Sequence, residues 1–185
     1  MQIVVSGAAG FLGSHLVDRI LLRPEVTRVV AVDNLWTGLW ENLAHISDQR
    51  LERAETDVER FQDADRFDQI IHLASPASPV WYMGEPRRTI SANLVGALNL
   101  LTLLKPGGKF CYTSTSEVYG DPKVTPQPET YRGSVDCTGP RSAYDESKRC
   151  TEALLFETRR TTGIDIRVAR IFNAYGPRTR DNDGR

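Results

Sequence analysis

A chain of 185 residues, 40% of them hydrophobic, has the material for one compact domain with a buried core. Its 23 Lys and Arg against 24 Asp and Glu leave a formal net charge of −1, so no broad field of one sign draws it to nucleic acid or to an anionic membrane. The three cysteines, Cys111, Cys137 and Cys150, are widely spaced with no histidine at ligand distance in sequence, which argues against a disulfide framework or a metal site and for reduced thiols in the cytoplasm.

The first predicted strand, IVVS (3–6), runs into GAAGFLG. This run lacks the basic start and cleavage site of a signal peptide, and no apolar stretch approaches a membrane span. Gly7, Gly10 and Gly13 instead form a strand-to-helix turn before a predicted helix over 11–22. Glycine lets the backbone approach a pyrophosphate, and the helix beyond offers free N–H groups and its positive dipole end. The spacing is one residue longer than G-x-G-x-x-G, and a purely structural turn is the alternative.

A second strand, RVVAVD (28–33), ends in Asp33, twenty residues past the last glycine. A carboxylate there can accept from an adenosine ribose and would repel a 2′-phosphate, favouring NAD over NADP. An ordinary turn aspartate before Asn34 is the competing reading. A weaker strand at 51–57 ends in Asp57, placed either to face adenine or to cap a predicted helix over 58–65.

Next come a strand over 69–74 and a helix over 86–104, whose apolar spacing suits packing on its own sheet or against a second subunit. The strand KFCYTST (109–115), an irregular Pro- and Gly-rich segment over 120–140, a helix over 141–162 and a strand over 164–171 complete the chain. Alternation of strand and helix, with strands almost continuously apolar, predicts an α/β fold built on a parallel sheet, undivided over 1–185.

Tyr144 and Lys148 lie one turn apart on the predicted helix, hence on one face. A phenol of pKa about 10 is a poor base, and lowering it by about three units takes roughly 4 kcal/mol of phenolate stabilisation. A nearby ammonium and a positive nicotinamide ring would supply it. The alternative, a surface tyrosine beside a solvated lysine, is opposed by two neighbours. Thr115 ends a strand where its hydroxyl can reach the same reacting oxygen, and Glu117 follows with a carboxylate. Tyr82 is a weaker candidate for the diphosphate or carboxylate of a ligand. Trp36, Trp40 and Trp81 read as loop caps, and His72 as a satisfied strand-end histidine.

The wording of GAAGFLGSHL, VDNLWTG, HLASPASPV, TSTSEVYGDP, GPRSAYDESKR and RVARIFNAYGPR resembles the extended short-chain dehydrogenase/reductase superfamily, and within it the UDP-glucuronate decarboxylase (UDP-xylose synthase) family. The resemblance implies a Rossmann-type doubly wound sheet, NAD as cofactor, UDP-glucuronate as substrate and a homodimer. It implies that Gly7, Gly10, Phe11, Leu12 and Gly13 hold NAD, with Asp33, Asn34, Thr37 and Gly38 at the adenosine ribose and Asp57 and Val58 at adenine. Leu73, Ala74, Ser75 and Thr113 would border the nicotinamide half. Thr115, Tyr144 and Lys148 match the catalytic triad and Glu117 the additional carboxylate, while Asn99, Asn173 and Arg185 match positions that contact the UDP-sugar.

Two departures accompany the resemblance. Ser91 stands where these decarboxylases commonly carry lysine, and the chain stops at DNDGR, where the family continues into a C-terminal substrate lobe. Ser116-Glu117 in place of the Asp-Glu of 4,6-dehydratases leaves water elimination without an evident proton donor. A shortened piece of a longer enzyme is the expectation, since the catalytic set is intact. A UDP-sugar 4-epimerase and a non-catalytic NAD-binding scaffold are the remaining alternatives.

Overall fold

A computed structural model describes residues 1–180. Six parallel strands form one sheet: β1 (Gln2–Ser6), β2 (Arg28–Asp33), β3 (Leu51–Glu55), β4 (Phe67–His72), β5 (Leu104–Thr115) and β6 (Asp165–Ile171). Their order is β3-β2-β1-β4-β5-β6. The chain therefore winds outward in one direction from β1 and then in the other from β4. That reversal opens a crevice at the C-terminal ends of β1 and β4, the place where such sheets hold ligands.

Strand alternation divides the core in two. Ile3, Val5, Val29 and Ala31 face one side of the sheet, where α1 (Phe11–Leu21) packs Val17, Ile20 and Leu21 onto them. Val4, Val30, Val32, Ile70, Phe110 and Tyr112 face the other side, covered by Ala97, Leu100 and Leu155 of the later helices. Burial on both faces accounts for the unbroken apolar runs in β1 and β2.

The later helices are more broken than periodicity predicts. The predicted 86–104 helix is preceded by α2 (Pro79–Gly84) and divides into α3 (Pro86–Ile90), a wide π turn (Ser91–Val95) and α4 (Gly96–Thr102). Pro79 and Pro86, each at a first helical turn, set the separate starts of α2 and α3. Buried Asn93 lies in the π turn and donates from Nδ2 to Ser147 Oγ at 2.9 Å. That bond ties this stretch to α5 (Ser142–Thr162).

The predicted helix over 58–65 is only a turn. Its carbonyls are spent elsewhere: Asn99 Nδ2 donates to the carbonyls of Val58 and Phe61 at 2.9 and 2.8 Å. Asp57, expected as a possible cap, accepts instead from Asn34 Nδ2 at 2.8 Å and pairs with Arg88. No helix among the described residues is long and apolar enough to cross a membrane.

Candidate active site

The glycine turn sits at the switch point. Gly7 adopts φ +73°, and a Cβ there would meet Ala74 N at 2.7 Å. At Gly13 a Cβ would come within 2.0 Å of the Gly7 carbonyl. A side chain at Gly7 would collide with the backbone after β4, and one at Gly13 would push α1 off the turn. Helix α1 starts after Gly10, which has extended backbone and provides no side-chain cap. Its first-turn N–H groups thus face the crevice, as an anion cradle requires.

Asp33 ends β2 with its carboxylate buried, Oδ2 accepting from Ala9 N and Oδ1 from Leu35 N, both at 2.9 Å. Burial pushes its pKa up, against the lowering by these amides. Asp33 therefore ties the glycine turn to the following loop as well as lining the crevice. Gly38 packs behind it, since a Cβ there would meet both carboxylate oxygens at 3.0 Å.

A single cavity of about 1010 Å³ runs along these strand ends. Gly7, Gly10, Phe11, Leu12, Gly13, Asp33, Asn34 and Thr37 line one part of it, with Thr56 and Val58. Leu73, Ala74, Ser75, Thr113, Thr115, Glu117, Tyr82, Tyr144, Lys148 and Asn173 line the rest. Gly38, Asp57 and Asn99, expected at the ligand, are not among the residues that line this cavity. Asn99 does not line the cavity, because its amide is committed to the carbonyls of Val58 and Phe61 behind it. The Asp57 carboxylate points into the pair with Asn34 and Arg88, leaving its neighbours Thr56 and Val58 to line the wall. Arg185 lies outside the described residues.

At the other end of the cavity, Tyr144 and Lys148 rise from the first turns of α5 and are almost fully buried. The Tyr144 phenol stands beside the Thr115 side chain, whose hydroxyl accepts from Glu117 N at 3.2 Å, and lies flat against Tyr82, ring centroids 4.7 Å apart. Lys148 Nζ donates to the Thr113 carbonyl at 2.8 Å and stands 5.7 Å from the centre of the Tyr144 ring. Desolvation governs both titrations: the phenol is pushed up to about 12 and the amine down to about 7. The expected lowering of the phenol by its neighbouring amine is thus outweighed by burial in the chain alone.

Arg141 and Ser114 of the cavity wall escaped sequence reasoning, whereas Ser75 was expected there. Arg141 pairs with Glu117 and stands 6.0 Å over the Tyr82 ring, placing one cation at this end of the cavity. Its sequence signal is GPR just before the Tyr144 helix. Ser75 Oγ and Ser114 Oγ are buried, line the cavity and have no hydrogen-bond partner among the described residues. Such orphaned hydroxyls suit a polar ligand. Asn93 lies behind this wall, buried on Ser147, and nothing in local sequence separates it from a helix-surface asparagine. Ser91 donates to Glu59 at 3.0 Å and brings no cation to the site. His72 is fully buried, hydrogen-bonded through Nδ1 to Ser6 Oγ at 2.7 Å, and pushed down to about 3 by desolvation, so it stays neutral and structural.

A family model described as NAD dependent epimerase/dehydratase matches residues 3–185. Among curated proteins, UDP-glucuronic acid decarboxylase 3 of Arabidopsis thaliana is 51% identical over all of this chain and 54% of its own length. UDP-glucuronic acid decarboxylase 1 of Xenopus tropicalis is 46% identical over all of the chain and 44% of its length. The chain thus spans about half the length of the curated relatives it matches. Among solved structures, UDP-glucose 4-epimerase from Thermotoga maritima superimposes with TM-score 0.81 at 34% identity, covering 96% of this chain and 57% of that one. A dTDP-glucose 4,6-dehydratase from Streptomyces venezuelae, solved with NAD bound, gives TM-score 0.83 at 27% identity, covering 97% and 58%.

Proposed function

From the premise that the chain belongs to the NAD dependent epimerase/dehydratase family, we propose that it forms the cofactor seat and catalytic centre of a UDP-glucuronate decarboxylase. The reaction converts UDP-glucuronate to UDP-xylose and carbon dioxide. The observation that carries this reading is the convergence of Thr115, Tyr144 and Lys148 on one cavity with the glycine turn, in a chain about half identical to curated decarboxylases.

The residues fit a dinucleotide. At Gly7 and Gly13 the backbone packs too closely for any Cβ, which holds the turn tight against the strand ends, and Phe11, Leu12 and Gly13 begin the helix that meets the diphosphate. Asp33, Asn34 and Thr37 receive the adenosine ribose, Val58 the adenine, and Leu73, Ala74, Ser75 and Thr113 the nicotinamide half. When bound, NAD supplies a hydride acceptor that can return the same hydride to the sugar.

Tyr144 takes the C4 hydroxyl proton of the sugar, with Thr115 holding the same oxygen. Because burial keeps the phenol protonated in the chain alone, the phenolate forms only when positive charge shares the cavity, from a protonated Lys148 and a cationic ring. Oxidation at C4 sets a carbonyl β to the sugar carboxylate. The bond from C5 to the carboxylate then breaks, its electron pair entering the carbonyl as an enolate. Protonation at C5 and reduction at C4 complete the pentose. Glu117, paired with Arg141, orients the sugar or delivers the C5 proton.

The test is product analysis: UDP-glucuronate incubated with the protein and NAD gives carbon dioxide and a pentose nucleotide. A hexuronic epimer without gas would support instead a UDP-sugar 4-epimerase, the reading favoured by the 34% identity to the Thermotoga enzyme. Thermal stabilisation by NAD with no response to UDP-glucuronate would support a non-catalytic scaffold. A cytoplasmic homodimer completes the reading, with exposed Ile90, Leu98 and Phe156 on the helical face as the contact and sedimentation as its check.

A further inference from the structure

Trp36, in the loop after β2, touches two other elements. Arg88 of α3 stacks on its ring at 4.3 Å, and Trp81 of α2 meets it edge to face with centroids 6.5 Å apart. Arg88 also pairs with Asp57 at 3.3 Å, Asp57 accepts from Asn34 at 2.8 Å, and Asn34 Oδ1 accepts from Trp36 N at 3.0 Å. The contacts close into a ring that joins the loop after β2, the end of β3 and α3. Trp81 also lies under Arg180, whose guanidinium stands 5.2 Å from the centre of its ring. Trp36 and Arg180 both line the cavity, so Trp81 bridges its rim from one wall to the other.

We propose that Trp36, Trp81 and Arg88 form a clasp across the rim of the cavity that slows the departure of a bound dinucleotide. The inference rests on the reading of the cavity as a dinucleotide site. Its chemical sense follows from a reaction in which the hydride must come back: reduced cofactor that left after the first half-reaction would strand a ketone. Opening the rim separates an aromatic edge contact, a cation–π contact and an ion pair together. These contacts lie outside the glycine turn and the catalytic residues, so they act on release more than on the chemistry.

The experiment is a displacement measurement on the protein purified as the cell makes it. Bound NADH is chased with excess NAD and followed by its fluorescence, for the unaltered protein, Trp81→Ala and Arg88→Met. Dissociation is expected to speed up by about tenfold or more in each variant, with association changed by less than about threefold. The Arg88 side chain is 39% exposed, so Arg88→Met leaves no hole in the core and keeps the test decisive if Trp81→Ala folds poorly. Dissociation within about twofold of the unaltered rate in a folded Arg88→Met protein overturns the clasp. Failure of the unaltered protein to bind NADH overturns the dinucleotide reading itself, and the clasp with it.

Discussion

The ring of Tyr82 lies on that of Tyr144 with centroids 4.7 Å apart and planes 12° from parallel. Tyr82 comes from the short helix α2 and Tyr144 from the first turn of α5, so the stack fixes the Tyr144 ring from a second element. Removing the ring leaves Tyr144 free to tilt away from Thr115. Tyr82→Ala is expected to lower kcat by about 10- to 100-fold, since small misplacement of a reacting group is costly. It should also destabilise the fold by about 3 kcal/mol through the cavity left behind. Tyr82→Phe, which keeps the stack, should stay within about threefold of the unaltered kcat. Steady-state kinetics and urea unfolding on the two variants check this.

Lys148 is buried with its amine held at about 7, against 10.5 when free. As pH falls from about 10.5 toward 7, the unfolded chain takes up a proton that the folded chain refuses. Stability is therefore lost through that window and levels off below it. Lys148→Met should flatten this pH dependence and raise stability at pH 8 by roughly 2 kcal/mol, while turnover disappears. Urea midpoints between pH 7 and 10 measure it, and an unchanged slope would mean that the amine keeps its proton in the folded chain.

Asp33 serves two amides with its two oxygens. Asp33→Ala leaves the N–H groups of Ala9 and Leu35 without that acceptor, at an expected cost of about 1–3 kcal/mol. It should also weaken NAD binding and bring NADP closer to it in affinity, since the repelling carboxylate is gone. Calorimetric titration with both dinucleotides gives the ratio directly.

The fold was legible because buried parallel strands write themselves as apolar runs and the glycine turn marks where the first one ends. All six strands fell close to their expected places, whereas the helices beside the cavity did not. The π turn around Asn93 and the proline-set breaks at Pro79 and Pro86 interrupt a pattern whose apolar spacing continues through them. The 58–65 segment reads as helical only until Asn99, some forty residues later, claims its carbonyls. The structure gathers Thr115, Glu117, Tyr144 and Lys148 along one cavity and commits the Asn99 amide to the carbonyls of Val58 and Phe61. No local signal could reveal that the pairing of Arg88 with Asp57 and Trp36 ties the rim together, because its members lie on three separate elements.

The most direct measurement follows the cofactor absorbance at 340 nm after UDP-glucuronate is mixed with the NAD-loaded protein, for the unaltered chain and for Tyr144→Phe. If a buried phenol removes the C4 hydroxyl proton, the unaltered protein shows a transient rise that slows when C4 carries deuterium. Tyr144→Phe then binds NAD with unchanged affinity and shows no rise. A rise of equal rate and size in Tyr144→Phe would contradict the account.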